Sequence, residues 1–232
     1  MIISELRPGL YRLRLGRYQA YAWRDGASVT LVDTGEAGSG PAIAAGLAEL
    51  GLTPGNLDRV VLTHFHDDHT GSAAELASWG PVRIVAHALD APVVRGERPG
   101  PPPNFTPFER DLHAQVAAGL VPAPPVRVDD EVRDGDVLDF GGGARVISTP
   151  GHTDGSLALH LPEHGVLLTG DIAAEHGGQV MFGVFHLDRA VAAESLRRLA
   201  ELDVEVACFG HGEPVLGDAS ARLREAAALV TT

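Results

Sequence analysis

Apolar and polar positions alternate in short runs through the first third of the chain. Residues 9–15, 18–24 and 28–32 are rich in aromatic and β-branched side chains and are broken by Gly and Asp, which predicts half-buried strands. Asp25-Gly26 marks a tight turn between the second and third. The period then changes: Ala and Leu recur at helical spacing over 41–50, and Gly51 stops the run. Residues 59–63 form a short apolar run, 71–79 reads as helix, and 82–86 reads as another buried strand. Alternating apolar strands and amphipathic helices predict an α/β architecture.

The middle of the chain departs from this pattern. Five prolines crowd into 99–107, a helix is expected over 108–120, and Pro122, Pro124 and Pro125 follow it. The segment at about 99–125 reads evenly as a linker or as a lid carrying binding residues. The last third resumes the first in style, with strands at 144–149, 156–161 and 166–169 and a hairpin turn at 163–165. A helix at 188–202, a strand at 204–209 and a final helix at 219–230 complete it. Each half runs strands first and helices later. The two share negligible identity, and 1–232 is read as one domain.

Composition narrows the function. The 232 residues are 44% hydrophobic and 21% charged, enough for a sizeable core. A formal charge of −13, with Arg197-Arg198 as the one adjacent basic pair, argues against a nucleic-acid surface, which needs clustered cations. The single cysteine, Cys208, excludes an internal disulfide, and its place in an apolar strand predicts a buried thiol. The first residues lack the apolar run of a signal peptide, and no stretch of about 18 apolar residues predicts a membrane span. A cytoplasmic protein acting on a small molecule is the expectation. The sequence carries no signal for oligomeric state.

Chemistry concentrates in His64-Phe65-His66-Asp67-Asp68-His69. In an extended segment, residues two apart point to the same side, so His64 and His66 can grip one ion, whereas a helix would splay them. Asp68 and His69 fall where the chain must turn into the next helix, and they can face a second ion. Further ligand candidates each follow a predicted strand: His152 in Pro150-Gly151-His152-Thr153-Asp154-Gly155, Asp171 after Thr169-Gly170, and His211 in Gly210-His211-Gly212-Glu213. Sites in open α/β sheets gather beyond the carboxyl ends of strands. His176 and His186 are read as surface residues that could instead face the pocket, and Asp67 is not read as a ligand.

The ordered set Asp33, His64-x-His66-x-Asp68-His69, His152, Asp171 and His211 resembles the metallo-β-lactamase superfamily from about residue 9 to 216. The resemblance implies a four-layer αββα sandwich of two mixed β-sheets flanked by helices. It also implies His64, His66 and His152 on a first metal, Asp68, His69 and His211 on a second, Asp171 bridging both, and Asp33 steadying a ligand. Read from the residues alone, such a nitrogen and oxygen set suits two ions about 3.5–4 Å apart that acidify a bridging water to hydroxide. Asp68 is then the catalytic residue, ligating and orienting the nucleophile. Imidazole and carboxylate point to two Zn2+, with iron or manganese also compatible.

True β-lactamases of this family lack an aspartate bridge such as Asp171, so the expected reaction is binuclear metal-dependent hydrolysis of a small ester, thioester or lactone. The alternatives are an iron-dependent sulfur dioxygenase-like enzyme and a β-lactam or phosphodiester hydrolase. A non-catalytic metal binder is disfavoured because every ligand of the set is present.

Overall fold

A computed structural model describes residues 2–230. The expected class, two mixed β-sheets each flanked by helices, is what the chain forms, and the chain divides into two compact units. The first comprises 1–99, 120–132 and 139–141. Its sheet runs in sequence order: β1 (Ile3–Arg7), β2 (Leu10–Leu15), β3 (Tyr18–Asp25), β4 (Ser28–Val32), β5 (Leu57–Val61), β6 (Arg83–His87) and β7 (Asp130–Val132). Neighbours from β1 to β4 are antiparallel, and those from β4 to β7 are parallel.

Helix α1 (Gly40–Glu49) makes the crossover from β4 to β5 and ends where Gly51 takes a left-handed φ of 71°. Ile43 and Leu47 pack from α1 onto Leu13, Leu31 and Val60 of the sheet. Sequence periodicity placed one helix at 71–79. The structure instead has two single turns, α2 (Asp67–Thr70) and α3 (Ala73–Leu76), with α2 starting inside the histidine motif. A short helix α4 (Ala91–Val94) follows β6.

The second unit comprises 100–119, 133–138 and 142–232, so α5 (Pro107–Val116) of the Pro-rich segment belongs here, while 120–132 returns to the first. In chain order the strands of its sheet are β8 (Val137–Leu138), β9 (Ala144–Ser148), β10 (Leu157–Leu161), β11 (Val166–Leu168), β14 (Val206–Cys208) and β15 (Val215–Leu216). Within the sheet, β11 and β14 are parallel neighbours and the other pairs are antiparallel. A separate hairpin joins β12 (Ala173–His176) to β13 (Gln179–Phe182). Helices α6 (Arg189–Ala200) and α7 (Ala219–Leu229) bury Leu196, Leu199 and Leu223 against Ile147, Leu167 and Phe209. Cys208 is buried in β14, as expected. No helix among the described residues is long and apolar enough to cross a membrane.

One glycine decides how closely the motif can lie on its own sheet. A Cβ on Gly71 would overlap the backbone of Glu36, Ala37 and Asp67. Gly71→Ala is therefore expected to destabilise the chain by about 3 kcal/mol. A methyl at Gly55 would meet no heavy atom nearer than Thr53 Oγ1 at 3.6 Å, so Gly55→Ala should change little. Thermal midpoints of the two variants check this; equal midpoints would contradict the close approach.

Candidate metal centre

In the first unit the motif begins three residues after the end of β5, beside the carboxyl end of its parallel neighbour β4. Asp33 follows β4 directly and adopts a left-handed φ of 62°, a conformation that Asp tolerates better than most side chains. Its N–H donates to Val61 O at 2.9 Å, which fixes the turn. Its buried carboxylate then gathers three donors. Thr63 N–H donates to Oδ1 at 2.8 Å, Thr63 Oγ1–H donates to Oδ2 at 2.8 Å, and His69 Nδ1 lies 2.8 Å from Oδ2.

These contacts determine ring tautomers. The carboxylate accepts from His69, so the proton sits on Nδ1 and the Nε2 lone pair points onward. The single Thr63 hydroxyl proton is committed to Asp33, so at 3.0 Å that oxygen accepts from His64 Nδ1, with the same result for His64. His66 ends the irregular stretch with extended backbone at ψ 150°, and α2 begins at Asp67. The ring centroid of His64 lies 4.7 Å from that of His66 and 4.0 Å from that of His69, so the three imidazoles cluster. Asp68 Oδ2 stands 3.8 Å from His69 Nε2, too far for a hydrogen bond but within the spread of about 3–4 Å that two ligand atoms take around one ion.

Backbone contacts hold the motif from behind. Thr34 N–H and Oγ1–H both donate to His69 O, at 2.7 and 2.8 Å. Phe65 N–H donates to the buried Asp90 at 3.1 Å, and Asp67 accepts from Ala123 N–H at 2.7 Å. Asp67 thus anchors the end of the Pro-rich segment. The sequence reading did not single out Asp90. Its place before Ala91-Pro92 reads as an ordinary helix cap, and no local pattern announces a partner 25 residues away. Burial first, then the charges of Asp68 and Glu36, push the Tyr18 phenol above its usual pKa, so it remains a proton donor.

In the second unit His152, Asp171 and His211 follow β9, β11 and β14, and the pairing makes these three strands point the same way. Gly151 takes a φ of 113° beside Ala192, and His152 is buried. One carboxylate oxygen, Asp171 Oδ2, lies 3.8 Å from His152 Nε2 and 3.2 Å from His211 Nε2. A carboxylate oxygen this close to two imidazole nitrogens suits metal ligation. Both half-sets, imidazole Nε2 atoms with carboxylates at ligand–ligand spacing, fit divalent ions.

His176 is exposed at the end of β12, as expected of a surface residue. His186 is a correction. It is 2% exposed, because the loop after Gly183 folds back against Asp171 O, where a Cβ would not fit. Its ring stacks on Phe182 at 4.4 Å and meets His152 edge-on at 5.4 Å. Burial pulls its pKa down to about 4, against the opposing hydrogen bond to Gly183 O, so the ring is neutral.

Residues 14–211 match the family described as the metallo-beta-lactamase superfamily. The chain is 30% identical over 181 residues to the probable metallo-hydrolase YflN of Bacillus subtilis, covering 69% of this chain and 66% of the relative. It is 31% identical over 206 residues to a hydroxyacylglutathione hydrolase of Acidiphilium cryptum, covering 86% of this chain and 66% of the relative. The chain thus spans just under two thirds of the length of these curated relatives. A crystal structure of a metallo-beta-lactamase family protein from Thermus thermophilus superposes with a TM-score of 0.71 at 29% identity, covering 97% of this chain and 80% of that one.

Asp33→Asn keeps a residue that tolerates the left-handed turn, so the chain is expected to fold, yet it weakens the acceptor that sets both tautomers. Zinc affinity by chelator competition should fall about 10–100-fold, and an unchanged affinity would sink the tautomer argument.

A second expectation concerns Glu109 of α5. Burial opposes its ionisation, but hydrogen bonds from Thr106 and Phe185 and the charge of Arg189 outweigh it and hold the carboxyl below its usual 4.5. A lowered folded pKa contributes stability above about pH 4.5 that is lost as pH falls through the folded value. Thermal midpoints should therefore drop more steeply below pH 4.5 in the wild type than in Glu109→Gln; parallel curves would contradict this.

With its ligand motif on parallel strand ends and a matching profile over 14–211, this chain belongs to the metallo-β-lactamase superfamily.

Proposed function

We propose that the chain is a binuclear metal-dependent hydrolase of a small ester, thioester or lactone, with one centre completed by both ligand half-sets. His64, His66 and His152 would hold one ion, Asp68, His69 and His211 the other, and Asp171 would bridge them. The observation that carries this reading is Asp171 Oδ2 close to both His152 and His211, since a shared carboxylate is the feature that sets the centre apart from β-lactamases, which lack an aspartate bridge. Two divalent ions, most simply zinc, would supply an acidified water and positive charge for a developing oxyanion.

The protein's own part is orientation. Asp33 and Thr63 hold the His64 and His69 rings, and Asp68 on the first turn of α2 offers a partly exposed carboxylate to align the nucleophile. No Ser or Cys nucleophile is required. The name of the relative from Acidiphilium cryptum, a hydroxyacylglutathione hydrolase, supports the thioester branch for this chain.

A panel of thioesters, lactones, phosphodiesters and cephalosporins, assayed with zinc-loaded and iron-loaded protein, tests the reading. Turnover is expected first on thioesters or lactones with zinc. The double variant Asp68→Ala/His69→Ala should lose at least about a hundredfold in kcat/KM, or about 2.7 kcal/mol of transition-state stabilisation. Abundant iron with oxygen consumption on a persulfide, or full esterase activity in the double variant, would overturn the proposal.

A further inference from the structure

The Pro-rich segment, open between linker and lid in the sequence, is hydrogen-bonded to a loop of the second unit. Asn104 N–H donates to His186 O at 2.9 Å, and Asn104 Nδ2 donates to Leu187 O. On the far side of the same stretch, Leu187 N–H donates to His152 O at 3.2 Å and Asp188 N–H donates to Gly151 O at 2.9 Å. Residues 185–188 are therefore laid between the Pro-rich segment and the backbone that carries His152.

Phe185 within this stretch has a φ of 62°, a left-handed conformation that costs a bulky side chain free energy and persists only where its surroundings impose it. The surroundings here are specific. Phe185 N–H donates to Glu109 Oε1 at 3.3 Å, and the Phe185 ring packs with those of His113 (5.1 Å) and Phe105 (5.9 Å). Glu109, 3% exposed, is itself fixed by Thr106 N–H at 2.8 Å in a helix capping box and by Arg189 at 3.3 Å.

The residue after the strained one is His186. Its Nε2–H donates to Gly183 O at 2.9 Å, its face lies on Phe182, and its edge abuts His152. Its Nδ1 is buried with no hydrogen-bond partner among the described residues. A polar ring atom left in that state is costly, so packing of the ring against His152 and Phe182 outweighs solvation of Nδ1.

We propose that Glu109 and His186 are a positioning pair for the ligand His152: Glu109 imposes the left-handed turn at Phe185, and that turn seats the His186 ring against the imidazole of His152. The proposal rests on the reading of His152 as a metal ligand. The Pro-rich segment then acts as a brace on the metal centre, fixed by a carboxylate outside the candidate ligand groups.

The test compares Glu109→Ala, Glu109→Gln and His186→Phe with the wild type in full-length protein. It reads zinc affinity by chelator competition and the visible spectrum of the cobalt(II)-substituted form, neither of which requires turnover. Glu109→Ala and His186→Phe should each weaken binding about tenfold, the lower end of the range for groups that orient a ligand, and should alter the cobalt bands. Glu109→Gln keeps an acceptor for Phe185 N–H and should restore both readouts. Wild-type affinity and spectrum in Glu109→Ala and His186→Phe, whatever their thermal midpoints, would overturn the pair. Loss in Glu109→Gln equal to that in Glu109→Ala would overturn the role given to the acceptor oxygen. A wild type that binds neither zinc nor cobalt would instead remove the metal reading itself, and this proposal with it.

Discussion

The arrangement of the His64–His69 motif depends on one buried carboxylate, Asp33. Asp33 accepts from a backbone N–H, a hydroxyl and an imidazole at 2.8 Å each, and through the hydroxyl it also dictates the tautomer of a second imidazole. A carboxylate so placed must keep its acceptors occupied, because stranding it away from water would be costly. The left-handed backbone at Asp33, the close approach that demands Gly71, and the grip of Thr34 on His69 O are the local structure that lets it do so. The His64 and His69 rings are therefore held in place by the fold itself.

The second unit holds its candidate ligands by different means. The backbone around His152 is paired with Leu187 and Asp188, its ring is walled by neutral His186, and Asp171 is the carboxylate at its front. In both units the functional residues leave strands that point the same way within their sheet. Strand direction therefore gathers residues such as His152, Asp171 and His211, 19 and 40 positions apart in sequence, at one edge.

Much of this was legible in the sequence, for identifiable reasons. His64 to His69 are contiguous and follow an apolar run, so strand end, turn and ligand spacing could be read locally, and Asp33 was placed through family resemblance. The long helices α1 and α6 and the strands of the two sheets' centres carry clear periods. Strands β1, β7, β8, β12, β13 and β15 were not predicted. Several are two to four residues long, too short for a period to register, and β12 (Ala-Ala-Glu-His) carries no β-branched residue. The helix at 71–79 fails because Gly71 and Ser72 interrupt it to meet Glu36 and Thr34 across the fold, contacts that no local pattern reveals. His186 was read as a surface residue for the same reason. Thr106-Pro107-x-Glu109, by contrast, is a capping signature that would have started α5 correctly and flagged Glu109.

The proposal on which the account turns is a binuclear metal site with Asp171 as the shared ligand. Metal stoichiometry, measured by elemental analysis on protein titrated with zinc and freed of excess, addresses it most directly. The account predicts two ions per chain in the wild type and fewer than two in Asp171→Ala under the same conditions. One ion or none in the wild type, or two ions still held by Asp171→Ala with unchanged affinity, would contradict it.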